Sequence, residues 1–388
     1  MIERILFLTN YNQYDSKRHF AKYFAEALRF FGIDTLELDV NQGKLNRSHL
    51  EKIETFNPTL TASFHSFIPI SGQKFLWDML KKPHLAILVD PVLYSLAMIK
   101  SPLVTISCVD LFDVENLLSF GFKKTFFLPH AVPKSLAEEP LREKIYDVTF
   151  IGSCYDYETL RKSWEKKLPE GAKEALSLSI ELVMNDNATP LQVALVKSWN
   201  HLGLSPQGVN FEELFNYLDL YTRGLDRIKL IRAIPEEVKV HVFGANAEGD
   251  FLPKNSWEHY LGDKKNVILH SPVSFLDSLN VLRASKISLN SFPFFKNGTH
   301  ERLFTGSALG SLVATSDNLW VRRNFIDDED ILIVPPKGWD QAGKRIMDVL
   351  KDTKKREEMA LRGREKTLKF HTWHNRAETL IQEMNQFL

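Results

Sequence analysis

The stretch Ser291-Phe292-Pro293-Phe294-Phe295-Lys296-Asn297-Gly298-Thr299-His300-Glu301-Arg302-Leu303-Phe304 gathers the groups in this chain best placed to do chemistry. It follows an apolar run of strand length, Ile287–Asn290, and opens a helical pattern that Gly310 ends before another such run, Leu312–Thr315. Asn297-Gly298-Thr299 suits a tight turn with Thr299 as helix N-cap. The first N–H groups of a helix lack intrahelical partners and carry the positive end of its dipole, so the turn is a candidate anion site. Lys296 adds a cation beside it. The competing reading is a plain loop and a capped helix, with Glu301 favouring the dipole. The same triplet fits a glycosylation sequon, taken as accidental because MIERILFLTN has no signal-peptide pattern.

Three polar groups in the N-terminal half also follow apolar runs: Asn10, His65 and Asp90. A histidine at such a place can hydrogen-bond a hydroxyl or move a proton, although a lone one is more often structural. Asp90, before Pro91, can orient a substrate, act as a base or cap the next turn. His130, after Leu128-Pro129, reads as hinge or cleft lining.

These residues need strands to place them. Ile5–Leu8, a helical pattern over 18–31 with Phe20, Phe24, Leu28 and Phe31 on one face, and Asp34–Val40 make a β-α-β opening. Strands near Leu60–Phe64, His84–Val89, Leu103–Cys108 and Lys124–Pro129 continue it. The pattern restarts at Val148–Ile151, turns helical over 158–234, and resumes with Val238–Phe243, Val267–His270, Ile287–Asn290, Leu312–Thr315 and Ile331–Val334. Helices at Asp340–Leu350, Lys354–Lys369 and His374–Phe387 follow. The fold class is α/β, and ligands of such sheets bind at the carboxyl ends of the strands.

Composition excludes more than it selects. The 388 residues carry 49 basic and 49 acidic side chains, so no global charge draws the chain to nucleic acid or anionic membrane. Its two cysteines, Cys108 and Cys154, make neither a disulfide framework nor a cysteine-rich zinc site, and read as buried thiols of a cytoplasmic protein. No run reaches the length of a transmembrane helix. LFLTNYNQYDSK after the first strand holds no glycine, against a dinucleotide-dependent oxidoreductase.

The phrases NGTHERLFTGSALGSLVATSDN, HSPVSFLDSLNVLRASKISLNSFP, FHTWHNRAETL, YDVTFIGS and FGFKKTFFLPHAV resemble GT-B fold glycosyltransferases of the family 1/family 4 type, in particular the CgeB-like, spore-maturation-like group. The resemblance implies two Rossmann-like, doubly wound domains facing a cleft. The acceptor domain would span 1–140, with the helix 374–388 packing back on it. The nucleotide-sugar domain would span 141–373, including the helical insertion 158–234. Family 4-like enzymes often carry two glutamates separated by seven residues. Those positions here are Asn297 and Thr305, so the resemblance puts Glu301, in its His300-Glu301-Arg302 phrase, on the ribose. It further implies donor contacts from Gly152 and Ser153, from Gly244 and Val273 near the base, and from Arg161, Arg223 or Arg227 to the diphosphate.

The implied reaction moves a sugar from a UDP-, GDP- or dTDP-linked donor to an acceptor hydroxyl, with no cofactor or metal and with retention. The acceptor is a glycan, protein or small molecule. Nucleic acid is not expected as a partner. The alternatives are a sugar-nucleotide epimerase on the same fold and a catalytically inactive nucleotide-sugar-binding or coat-assembly protein.

Overall fold

The computed structural model describes residues 2–40, 45–65, 74–138, 140–247 and 255–387; Leu388, at the end of the expected terminal helix, lies outside them. The chain divides into two compact units. One is Met1–Glu139 with Thr299–Phe304 and Lys366–Leu388; the other is Pro140–Gly298 with Thr305–Glu365.

The first unit runs β1 (Arg4–Thr9), α1 (Ser16–Phe30), β2 (Asp34–Asp39), α2 (Arg47–Phe56), β3 (Leu60–Phe64), α3 (Leu76–Leu80), β4 (His84–Ile87), β5 (Val104–Cys108), α4 (Leu111–Ser119) and β6 (Thr125–Phe127). The strands form one parallel sheet ordered β2-β1-β3-β4-β5-β6. β3, β4 and β5 are buried along their whole length, as expected of central strands covered on both faces. Strand order reverses between β1 and β3, so Asn10 and His65 leave the sheet at its switch point.

The second unit runs β7 (Tyr146–Ile151), α5 (Tyr157–Lys167), α6 (Glu170–Asn185), α7 (Leu191–His201), α8 (Phe211–Arg232), β8 (Val240–Phe243), α9 (Trp257–Leu261), β9 (Val267–His270), α10 (Phe275–Arg283) and β10 (Ser285–Asn290). It continues with α11 (Glu301–Ala308), which begins in the first unit, then β11 (Leu312–Ser316), α12 (Leu319–Asn324), β12 (Leu332–Val334), α13 (Trp339–Lys351) and α14 (Thr353–Phe370). Its sheet is ordered β12-β11-β10-β7-β8-β9, all parallel. The reversal falls between β7 and β10, where Gly152-Ser153 and Ser291 emerge. The helical stretch expected between the first two strands of this unit is the four helices α5–α8, and α8 is lined with buried residues.

The last helix, α15 (Trp373–Phe387), belongs to the first unit and packs on α1. Trp373 sits 5.9 Å from Phe20, 5.2 Å from Phe24 and 5.7 Å from Phe64, ring centre to ring centre. The aromatic face read from the α1 sequence is thus the docking face for α15. Among the described residues no helix is long and apolar enough to cross a membrane.

Gly244 has a definite steric task. A Cβ there would stand 1.9 Å from the Gly152 carbonyl oxygen, so only glycine allows the ends of β7 and β8 to approach. The Gly152 carbonyl alone accounts for the missing side chain at Gly244. Gly244→Ala is expected to lower the unfolding free energy by at least ~1–3 kcal/mol, the usual range for overpacking. Urea unfolding reads this directly, and unchanged stability would refute the close approach.

Candidate functional site

The switch-point loops of the second unit are gripped by its helices. Asp226 of α8 accepts from Ser291 Oγ at 2.6 Å and from Trp339 Nε1 at 2.8 Å. Burial pushes the Asp226 carboxyl up, and these two donors partly oppose that. The next residue, Arg227, donates to the Ser153 carbonyl at 2.8 Å and lies over the Tyr155 ring. One dipeptide thereby holds both loops, Asp226 after β10 and Arg227 after β7. Arg223 pairs with Asp219 at 2.6 and 2.9 Å and stacks on Phe294, 3.6 Å from the ring centre.

These contacts revise several expected donor roles. Lys296 is buried, and its amine donates to the Val183 carbonyl at 2.7 Å and the Asp186 carbonyl at 2.9 Å, tying the loop to the end of α6. Arg223 and Arg227 are likewise buried loop anchors. The Gly152 N–H bonds to the Phe243 carbonyl at 2.9 Å, so the β7–β8 ladder has already taken it. Asn297 is buried, accepts from Arg323 and offers no exposed sequon. The Gly298 carbonyl accepts from Asn318 Nδ2 at 3.0 Å. Arg161 pairs with Glu165 at 3.6 Å and lines an open groove of about 510 Å³ with Tyr157, Lys162, Lys166 and Tyr221; no strand-end loop residue lines it. Val273 is half-buried just before Ser274, the N-cap of α10.

Thr299 is not the cap of α11, which starts at Glu301. Its hydroxyl accepts instead from the His130 N–H at 3.0 Å and lies 3.1 Å from His130 Nδ1, while its own N–H donates to the Val109 carbonyl at 3.0 Å. The helix-start geometry expected at Thr299 gives way because the hydroxyl finds a partner 169 positions away.

This draws 299–304 into a polar cluster of the first unit. Glu301 Oε2 is 2.9 Å from His300 Nδ1, and Oε1 is 3.6 Å from Arg302 Nε. Burial alone would raise the Glu301 pKa; His300, Arg302 and His130 overcome it and hold the carboxyl well below the usual range. Burial lowers His130 to about 4, helped by His300 and opposed by Glu301 and Asp90. His65 Nδ1 stands 3.9 Å from Asp90 Oδ2, and burial, with the charge of Lys17, lowers His65 to about 4 against the pull of Asp90. Lys17, in the first turn of α1, is itself lowered by burial and raised by Asp90.

Asp90 is therefore the electrostatic centre shared by Lys17, His65 and His130. His65 also holds a left-handed backbone, φ 92°, an uncommon conformation for a residue with a Cβ. Asn10 is half-buried beyond β1, and Thr305 is buried on α11 one turn after Glu301. Lys17 and Arg302 were missed in the sequence. Lys17 was accessible to the same logic that found Asn10, since the helix after the first strand starts at the switch point. Among the described residues, no group of three or more His, Cys, Asp or Glu gathers as a metal site.

The fold is that of GT-B glycosyltransferases. Anabaena HepE, solved with UDP and glucose, superposes with a TM-score of 0.55 at 10% identity over 99% of this chain and 100% of its own. Sucrose-phosphate synthase of Thermosynechococcus elongatus gives 0.54 at 12% identity over 99% of both chains. Residues 227–382 match the glycosyl transferase-like family model. No curated protein matches by sequence.

Two outcomes follow from this geometry. Asp226→Ala strands the Ser291 and Trp339 donors, and is expected to cost about 1–3 kcal/mol for each buried group left unpaired, read by chemical denaturation. His130 titrates near 4 when folded and at its ordinary value when unfolded, so between these pH values the unfolded chain binds the extra proton. Stability attributable to His130 therefore falls as pH drops from 6.5 toward 4, by up to about 3 kcal/mol. His130→Gln should lose less stability than the parent across that window, and parallel stability curves would contradict the assignment.

Proposed function

We propose that the chain is a glycosyltransferase that moves a sugar from a nucleoside-diphosphate donor to an acceptor hydroxyl. The observation that carries this reading is the polar cluster at the carboxyl edge of the first unit, on a chain whose residues 227–382 match a glycosyl transferase-like model. HepE was solved with UDP-glucose as well as with UDP and glucose, which supports a UDP-sugar as the first donor to try.

In this reading His65 is the group that takes the acceptor's proton. Burial keeps it neutral at physiological pH, so its lone pair is available, and Asp90 stabilises the imidazolium that forms. Glu301, held ionised, accepts hydrogen bonds from hydroxyls of the donor. The loops after β7 and β10 receive the nucleotide, with Ser153 and Ser291 fixed in place by Arg227 and Asp226. We further assign the chain to the CgeB-like group, with retention of configuration, the acceptor oxygen attacking from the face that the leaving diphosphate quits, and with charge stabilisation by side chains and backbone in place of a metal. The setting proposed is the cytoplasm.

The test is release of nucleoside diphosphate from a panel of UDP-, GDP- and dTDP-sugars, with and without candidate acceptors and with a chelator present. Acceptor-dependent turnover that survives chelation is expected. His65→Ala should reduce it by roughly 10²–10⁴-fold, the usual contribution of a positioned acid or base, and Glu301→Gln should weaken donor binding. No calorimetric binding to any nucleotide-sugar would overturn the proposal.

A further inference from the structure

Three segments far apart in sequence meet at His130. Arg376, on α15, donates through Nε to the Pro129 carbonyl at 2.8 Å and to the His130 carbonyl at 3.3 Å. Its Nη2 reaches the His130 carbonyl at 2.9 Å. Val132 then pairs with the start of α15: its N–H bonds to the His371 carbonyl at 3.0 Å, and its carbonyl accepts from Trp373 at 2.9 Å. From the other side, the His130 N–H is held by Thr299. Arg376 is buried; its Nη1 donates to the Phe370 carbonyl, and its Nη2 also meets His371 Nδ1. A guanidinium held by carbonyls and an imidazole spends its fork geometry on fixing one turn of backbone.

The ring is fixed by the same neighbours. A threonine hydroxyl has one hydrogen and two lone pairs. The Thr299 oxygen already accepts from the His130 N–H, and Nδ1 lies within reach of its hydrogen at 3.1 Å. Directing that hydrogen to Nδ1 leaves this nitrogen without a proton and puts the ring proton on Nε2.

We infer that Arg376 is a positioning residue which, with Thr299, locks His130 as a neutral Nε2–H hydrogen-bond donor. In this tautomer His130 is no base: Nδ1 is occupied and Nε2 has no free lone pair. Proton transfer is left to His65, and His130 contributes a fixed dipole. The catalytic side of this inference rests on the transferase reading; the structural side stands without it.

Long-range ¹H–¹⁵N spectra of the full chain labelled at histidine test it, with the His130 signals assigned by their loss in His130→Gln. At pH 7 the pattern of a neutral Nε2–H ring is expected. Thr299→Ser should retain that pattern and Thr299→Val should lose it. Arg376→Lys and Arg376→Gln should both shift the His130 signals, and Arg376→Lys keeps the buried charge should the other variant fold poorly. With a working donor and acceptor, Arg376→Gln should lower kcat about tenfold or more, as expected of a misplaced group, with donor KM little changed and no added loss in a His130→Gln background. An Nδ1–H ring or an imidazolium at pH 7 would overturn the inference, as would full additivity of the two substitutions. If no nucleotide-sugar is turned over, the transferase reading falls while the spectra still decide the positioning.

Discussion

A charge taken out of water must be answered by partners close at hand, and that constraint organises this molecule. Glu301 is answered by His300 and Arg302, Arg223 by Asp219, Lys296 by two carbonyls, and Arg376 by carbonyls of the Pro129-His130 turn. For Lys296 and Arg376 the answering carbonyls belong to another segment, so the contact fixes a loop as well as a charge. Removing either member would leave a buried group unpaired, so the loops are bound to one geometry.

The sheets decide where those loops are. Every strand of both sheets is parallel, so each unit delivers the loops that leave its strands to one edge, and the reversals of strand order open a gap in the helical cover there. Lys17, His65 and Asp90 meet at that edge in the first unit; Ser153 and Ser291 emerge there in the second. The helices α6 and α8 are then less an ornament on the second unit than the scaffold of its loops, since they hold Ser153, Ser291, Phe294 and Lys296.

Much of the architecture was legible in the sequence. Buried parallel strands leave short unbroken apolar runs, and the strands fall where such runs stand. The helix α1 announced its face through its phenylalanines. The short helices α3, α9 and α12 were not legible, because five or six residues carry too little periodicity. Polar residues at strand ends can be read because position alone marks them. The tasks of Lys296, Arg227 and Thr299 cannot, because their partners lie 113, 74 and 169 residues away. A basic residue beside a candidate anion site looks the same in sequence whether it faces a phosphate or a carbonyl. At Gly244 the need for close approach is readable, but not that the Gly152 carbonyl is what approaches.

The first unit is assembled from Met1–Glu139, Thr299–Phe304 and Lys366–Leu388. A ribosome makes the first of these pieces long before the last, an interval on the order of tens of seconds at ordinary rates of synthesis. During that wait Phe20, Phe24 and Phe64 lack the indole of Trp373, and the carbonyls of Pro129 and His130 lack Arg376. The nascent first unit is thus an open aromatic surface until Lys366–Leu388 has been made, and the turn that carries His130 reaches its final shape only then.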